Sequence, residues 1–140
     1  MLLERSQYFG YLEALLQIKA KTQKLTVRHL GWPADTVDLQ PRPANFAGLM
    51  QHLKHEQADV IIAAFGFNES FAGAEGMREF ENALHKFLDE LRSSAFNGET
   101  GPKIILLSPI ANERVEGVDA AELNNANLEA YTEIMRIVAG

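Results

Sequence analysis

Two runs of unbroken apolar residues, set among stretches of helical periodicity, constrain this chain more than anything else in it. They are Val60–Phe65, within Ala58-Asp59-Val60-Ile61-Ile62-Ala63-Ala64-Phe65, and Ile104–Leu107, within Lys103-Ile104-Ile105-Leu106-Leu107-Ser108. A strand with one face in water alternates apolar and polar side chains. A strand that stays apolar at consecutive positions is suited to cover on both faces, as in a parallel sheet between helices. The segments around the two runs have the other period. Phe46, Leu49, Met50 and Leu53 stand at i, i+3, i+4 and i+7, which predicts a helix starting near Asn45 as its N-cap. Met77, Phe80, Leu84, Phe87, Leu88 and Leu91 predict the longest helix, over 74–93. Leu123, Leu128, Tyr131, Met135 and Val138 predict the last, over 119–138.

Upstream, Tyr8, Leu12, Leu15 and Ile18 make one apolar stripe and predict a helix over 5–21. A β-branched segment at 25–30 reads as a third strand, ended by Gly31-Trp32-Pro33, and Pro41 and Pro43 mark a loop. The expected order is α-β-α-β-α-β-α in a single domain, residues 1–140. Such alternation implies right-handed crossovers and an α/β fold with helices on both faces of a parallel sheet. Small domains of this kind usually have five strands. A chain that opens on a helix reads as one whose first strand is missing.

The composition is that of a folded protein, 46% hydrophobic and 23% charged. Lys and Arg number 13 against 19 acidic residues, giving a net charge of -6. That balance argues against a nucleic-acid partner, which needs a basic stripe to track phosphates. There are no cysteines, hence no disulfide, thiolate metal site or Cys nucleophile, and the redox compartment is left open. Glu4 and Arg5 interrupt the place where a signal peptide carries its apolar run. The longest apolar stretches fall far short of the ~20 residues that span a bilayer, so a soluble protein with no membrane span is expected. The compartment is otherwise open.

Ligands of open parallel sheets bind beyond the carboxyl ends of the strands. Three segments reach that rim: 31–36, with Gly31, Pro33 and Asp35; 66–70, with Gly66, Asn68 and Glu69; and 108–113, with Asn112 and Glu113. Small residues and amides in the first two suit backbone N–H groups and an Asn side chain aimed at developing negative charge. These segments also carry a family resemblance. Arg28-His29-Leu30-Gly31-Trp32-Pro33-Ala34-Asp35-Thr36 resembles block II of the SGNH/GDSL hydrolases, commonly Asn-x-Gly-x-Ser-Gly-Asp-Thr. Gly66-Phe67-Asn68-Glu69 resembles block III, Gly-x-Asn-Asp. The likeness spans about residues 2–138 in the order and spacing of its elements.

The resemblance implies a flavodoxin-like three-layer αβα fold and an ester (acyl) hydrolase acting on a small-molecule ester. It implies no metal and no cofactor. Within it, Asn68 takes the place of the oxyanion-hole side chain. The block II glycine, which donates a backbone N–H, falls on Ala34; Glu69 replaces the usual Asp and Pro33 the usual Ser. Block I, Gly-Asp-Ser-Leu-Thr-Glu, aligns its end with Leu2-Leu3-Glu4 and its nucleophile with Met1. Block V, Asp-x-x-His, has no counterpart. The nucleophile and the Asp/His pair are therefore absent from the matched motifs. The family's strand order is 2-1-3-4-5, so the first (central) strand and the last are the ones missing. A homo-oligomer that completes the sheet is an expectation that follows.

Other residues offer little chemistry. Ser6, Ser70 and Ser108 have no G-x-S-x-G elbow around them and read as caps rather than nucleophiles. His52 and His55, at i, i+3 beside Glu56, have a spacing that holds a metal, but no third ligand is evident, and an exposed helix face explains them. His29 reads as strand and His85 as helix surface. Gly73 and Gly76 lack the Gly-Lys-Ser/Thr of a phosphate loop, and Trp32 reads as packing. Two functions follow: an SGNH/GDSL-like ester hydrolase domain, truncated or inactive as it stands, or a degenerate non-catalytic α/β module used for binding or assembly. A flavodoxin-like nucleotide binder is a third, weaker reading.

Overall fold

Helices and strands form where the apolar period is strongest and give way where glycine or proline interrupts it. The computed structural model describes residues 2–21 and 23–140. Its elements are α1 (Leu2–Ser6), α2 (Tyr11–Ala20), α3 (Leu49–His55), β1 (Val60–Ala63), a 3-10 turn (Glu69–Ala72), α4 (Gly73–Arg92), β2 (Lys103–Leu106) and α5 (Ala120–Ala139). They fall into two compact units, Met1–Ala34 and Asp35–Gly140.

The first unit departs from the sequence reading twice. The helix expected over 5–21 is two helices, because Gly10 takes φ 65 and precedes α2 in a left-handed conformation. No described residue of α2 is buried, and Tyr11, Leu15 and Ile18 are 75%, 58% and 63% exposed. Residues 25–30, expected as a strand, form none. A strand exists only through a neighbour that takes up its N–H and C=O groups. Here one side-chain bond, Gln17 Nε2 to the Leu25 carbonyl at 2.9 Å, ties the segment to α2.

The second unit is a mixed α/β arrangement. β1 and β2 pair in parallel, Val60 with Lys103 and Ala63 with Leu106, joined by α4. α4 buries Phe80, Leu84, Phe87, Leu88 and Leu91 along its predicted stripe. α5 buries Asn124, Leu128, Tyr131, Met135 and Val138. The stripe's phase, counted back from Leu128 by one turn, lands on Asn124. Leu123, expected inward, is instead 73% exposed. α3 begins at Leu49 rather than near Asn45, since Asn45 takes φ 65 and leaves the helical region. Gly48 starts that helix, its N–H bonded to Gln51 Oε1 at 2.9 Å.

α4 and α5 meet through Phe80 and Tyr131, whose ring centroids are 5.0 Å apart. Glycine at 76 permits the approach: a Cβ there would stand 2.6 Å from the Tyr131 hydroxyl. That hydroxyl donates to the Gly73 carbonyl at 2.9 Å. Phe65, just past β1, meets Phe87 of α4 edge-to-face at 5.4 Å. The sheet is less enclosed than its sequence suggests. In β2, Lys103 and Ile105 are exposed while Ile104 and Leu106 are half-buried, so one face stays wet. Among the described residues no helix is long and apolar enough to cross a membrane.

Candidate functional site

Past the end of β1 the chain turns at Gly66, whose φ of 95 is open to glycine and costly to other residues. The position is also crowded: a Cβ would meet Met135 Sδ at 3.3 Å and Phe80 Cζ at 3.6 Å. This turn delivers Asn68 and Glu69 to the carboxyl end of the strand. Asn68 stands at the N-cap position of the 3-10 turn, yet its side chain makes no capping hydrogen bond. Its Nδ2 instead donates to the backbone carbonyl of Asp35 at 3.0 Å. A carboxamide has two N–H donors. The second has no partner among the described residues.

Glu69 holds the loop that Asn68 leans on. Its Oε2 accepts the Gly66 N–H and its Oε1 the Val37 N–H, both at 2.9 Å. One carboxylate thus ties the turn after β1 to Val37, 32 positions upstream of Glu69 in sequence and only 7% exposed. Asp35 is braced from its other side by Arg42, whose guanidinium forks onto both carboxylate oxygens at 2.7 Å. The two side chains are 10% and 14% exposed. The hydrogen bonds that Arg42 donates to Asp35 keep its guanidinium above the ordinary value, against the opposing effect of burial. Between them Thr36 closes a short loop: its N–H bonds the Leu39 carbonyl at 3.0 Å, and its hydroxyl accepts the Leu39 N–H at 3.1 Å. The result is a fixed amide donor at the mouth of a parallel strand, an arrangement able to stabilise a developing oxyanion.

The other residues singled out from sequence are placed as follows. Ala34, the last residue of the first unit, has φ 65. A left-handed backbone costs an L-residue with a Cβ about 1–2 kcal/mol, and it is a conformation that glycine takes freely. Met1, the aligned nucleophile position, lies outside the described residues. Ser6 donates to the Leu3 carbonyl at 2.6 Å within α1. Ser70 is fully buried, its hydroxyl 2.7 Å from the Phe67 carbonyl and 3.2 Å from Asn124 Oδ1. Ser108 is exposed, just beyond β2. The third rim segment is pinned to α5: Asn112 N–H donates to Asn125 Oδ1 at 2.6 Å, and Asn125 Nδ2 returns a bond to the Asn112 carbonyl at 3.1 Å.

His52 is half-buried rather than exposed as expected. Its ring tilts against Phe46 at 5.2 Å, and its Nε2 is buried without a hydrogen-bond partner among the described residues. His55 and His85 are exposed. Among the described residues no three His, Asp or Glu side chains gather as a metal site would require. Sequence reasoning missed the bridging role of Glu69 and the Asp35–Arg42 fork. The available signal was an acid directly after a Gly-x-Asn turn, which shortens the path back to that turn's own N–H.

A cleft of about 250 Å³ lies between the 36–39 loop and the start of α4, with Val37, Glu69, Gly76 and Phe80 in its lining. A broader, open groove of about 500 Å³ continues along α4 past Arg78, Glu79 and Lys86. No protein-family model, no curated protein and no solved structure matches this chain.

Proposed function

We propose that this chain is part of an SGNH/GDSL-type ester hydrolase architecture, flavodoxin-like and three-layered, in which Asn68 supplies an oxyanion-stabilising N–H. The resemblance also assigns a backbone N–H donor to Ala34. The observation that carries the reading is the state of the Asn68 carboxamide. It stands where an Asn ordinarily caps a turn, but it does not cap. One N–H is anchored on the Asp35 carbonyl and the other is left for a ligand. The conformation at Ala34 adds support, since φ 65 is what a position once held by glycine would have.

The chemistry follows from charge. When a nucleophile adds to an acyl carbonyl, the negative charge grows on the oxygen. A donor fixed beforehand meets that charge without reorganising, and one such donor is worth roughly 10²–10³ in rate. The substrate class is a small-molecule ester. Asn68 contributes stabilisation only; the chain's described serines make no bond to a histidine that would activate them. The 140-residue chain is therefore expected to show no serine-hydrolase turnover. That same point favours the second reading, a degenerate fold retained for binding or assembly.

Two measurements on the full chain test this. A fluorophosphonate probe should leave every serine unlabelled; stoichiometric labelling of one would contradict the assignment of an incomplete site. Methylphosphonate, a tetrahedral oxyanion mimic, should shift the Asn68 side-chain amide resonances in an NMR titration, and Asn68→Leu should abolish all saturable response. A titration that leaves Asn68 unmoved would remove the oxyanion role.

A further inference from the structure

We propose that the open edge of β1 pairs with the same edge of a second copy of the chain, forming a closed dimer across a two-fold axis. The inference rests on the sheet alone and is independent of the hydrolase reading. The β1–β2 ladder fixes which backbone groups are already used. Lys103 N–H bonds the Asp59 carbonyl at 2.9 Å and Leu107 N–H the Ala63 carbonyl at 2.8 Å, in the register Val60 to Lys103. In a strand, successive residues turn their N–H and C=O groups to opposite sides. Asp59, Ile61 and Ala63 therefore face β2, and Val60, Ile62 and Ala64 face away from it. The latter groups have no partner among the described residues.

The outer edge of β2 is open at Ile104 and Leu106 too, but it is guarded. Pro102 and Pro109 bracket it, and exposed Lys103 stands at its start. Prolines and lysines at an edge are what keep sheets from adding strands. β1 carries none of these. From Val60 to Phe65 the run is wholly apolar, without a charge or a proline, and Val60 is 52% exposed. Such a segment with one free edge is a template for another strand.

Register and charge select the occupant. An antiparallel pairing centred on Ile62 sets Ile62 opposite its own copy and Val60 opposite Ala64. Every outward-facing residue then exchanges both bonds with an outward-facing residue. Asp59 falls opposite Phe65, so no like charges meet, and its carboxylate is already occupied by Asn97 Nδ2 at 2.9 Å. This joint uses the same patch on both copies and closes. A joint between β1 of one copy and β2 of the next would propagate into a filament, and the guarded edge of β2 opposes it.

The test uses the full chain, with sedimentation equilibrium over a millimolar-to-micromolar dilution series and amide exchange on the same samples. The expected result is a monomer–dimer equilibrium. In the dimer the amides of Val60, Ile62 and Ala64 gain protection, while those of Ile61 and Ala63 are protected at every concentration. Val60→Pro removes one outward N–H and leaves the β1–β2 ladder intact. Val60→Lys puts a charge on an exposed edge position and serves if the proline variant fails to fold. Each should weaken dimerisation by at least about tenfold while circular dichroism stays unchanged. The proposal is overturned by a monomer throughout the series, by assemblies that grow beyond the dimer, or by a dimer that Val60→Lys leaves intact. A monomer that takes up an unrelated extended peptide at this edge would overturn self-pairing as well.

Discussion

Met1–Ala34 and Asp35–Gly140 both carry helices with an apolar stripe, and only the second unit buries one. Every buried side chain among the described residues, from Val37 to Val138, belongs to Asp35–Gly140. α2 and α4 illustrate the reason. α4 runs for 20 residues beside α5, which has the complementary stripe, and α4 carries at Gly76 a notch that lets Tyr131 of α5 close in. α2 has 10 residues and buries none of its described side chains. Helices this short hold little stability of their own in water, so an apolar stripe states what can be buried and not what is.

The contrast makes graded predictions. Leu84, with no exposure, and Leu15, 58% exposed, are the same residue type on equivalent helical faces. Leu84→Ala should cost about 2–5 kcal/mol in urea unfolding, whereas Leu15→Ala should stay within about 0.5 kcal/mol. Comparable losses would erase the distinction between the units. Next in size is Glu69→Ala, which strands the N–H groups of Gly66 and Val37 together. A loss of about 2–4 kcal/mol is expected from denaturant midpoints, and Glu69→Gln should fall between it and the native chain, since one amide oxygen can still accept.

Tyr131→Phe should cost about 1 kcal/mol, for its hydroxyl bond to Gly73. Its pH behaviour sharpens the point. Burial first, and the charge of Glu69 second, push the Tyr131 hydroxyl above its ordinary value. The folded chain thus holds the phenol proton more tightly than the unfolded chain does. Its contribution is whole below about pH 10 and is lost as pH rises through the folded value. Between about pH 10 and the raised folded value the native chain should lose stability more steeply with pH than Tyr131→Phe, as read by denaturant unfolding at a series of pH values. One effect has the opposite sign: Ala34→Gly should stabilise by about 1 kcal/mol by relieving a left-handed alanine. A destabilised Ala34→Gly would remove the strain argument at that position.

Much of the second unit was legible in the sequence because its signals are local. A continuous apolar run implied a parallel strand, and the stripes of α4 and α5 implied helices that end within a residue or so of their expected limits. What failed depended on neighbours or on single dihedrals. Residues 25–30 have strand-like composition but join no ladder among the described residues. Gly10 divides the first helix and Asn45 delays the third through positive φ, which periodicity does not register. Leu123 was assigned by hydropathy to a position that helix phase gives to Asn124. At the candidate site, Asn68 was visible as a residue type after a glycine turn. The carboxylate of Glu69 bridging to Val37 was not, because its partner is a backbone N–H far away in sequence.

The central claim, that Asn68 is held as a donor with one N–H to spare, has a direct measurement: hydrogen exchange of its two side-chain amide protons in the full chain. Two distinct resonances are predicted, one protected by the Asp35 carbonyl and one exchanging as freely as an exposed amide. In Glu69→Ala the difference between them should shrink as the loop loosens. Two protons exchanging at one rate in the native chain, or protection arising from a bond to the 3-10 turn, would contradict it.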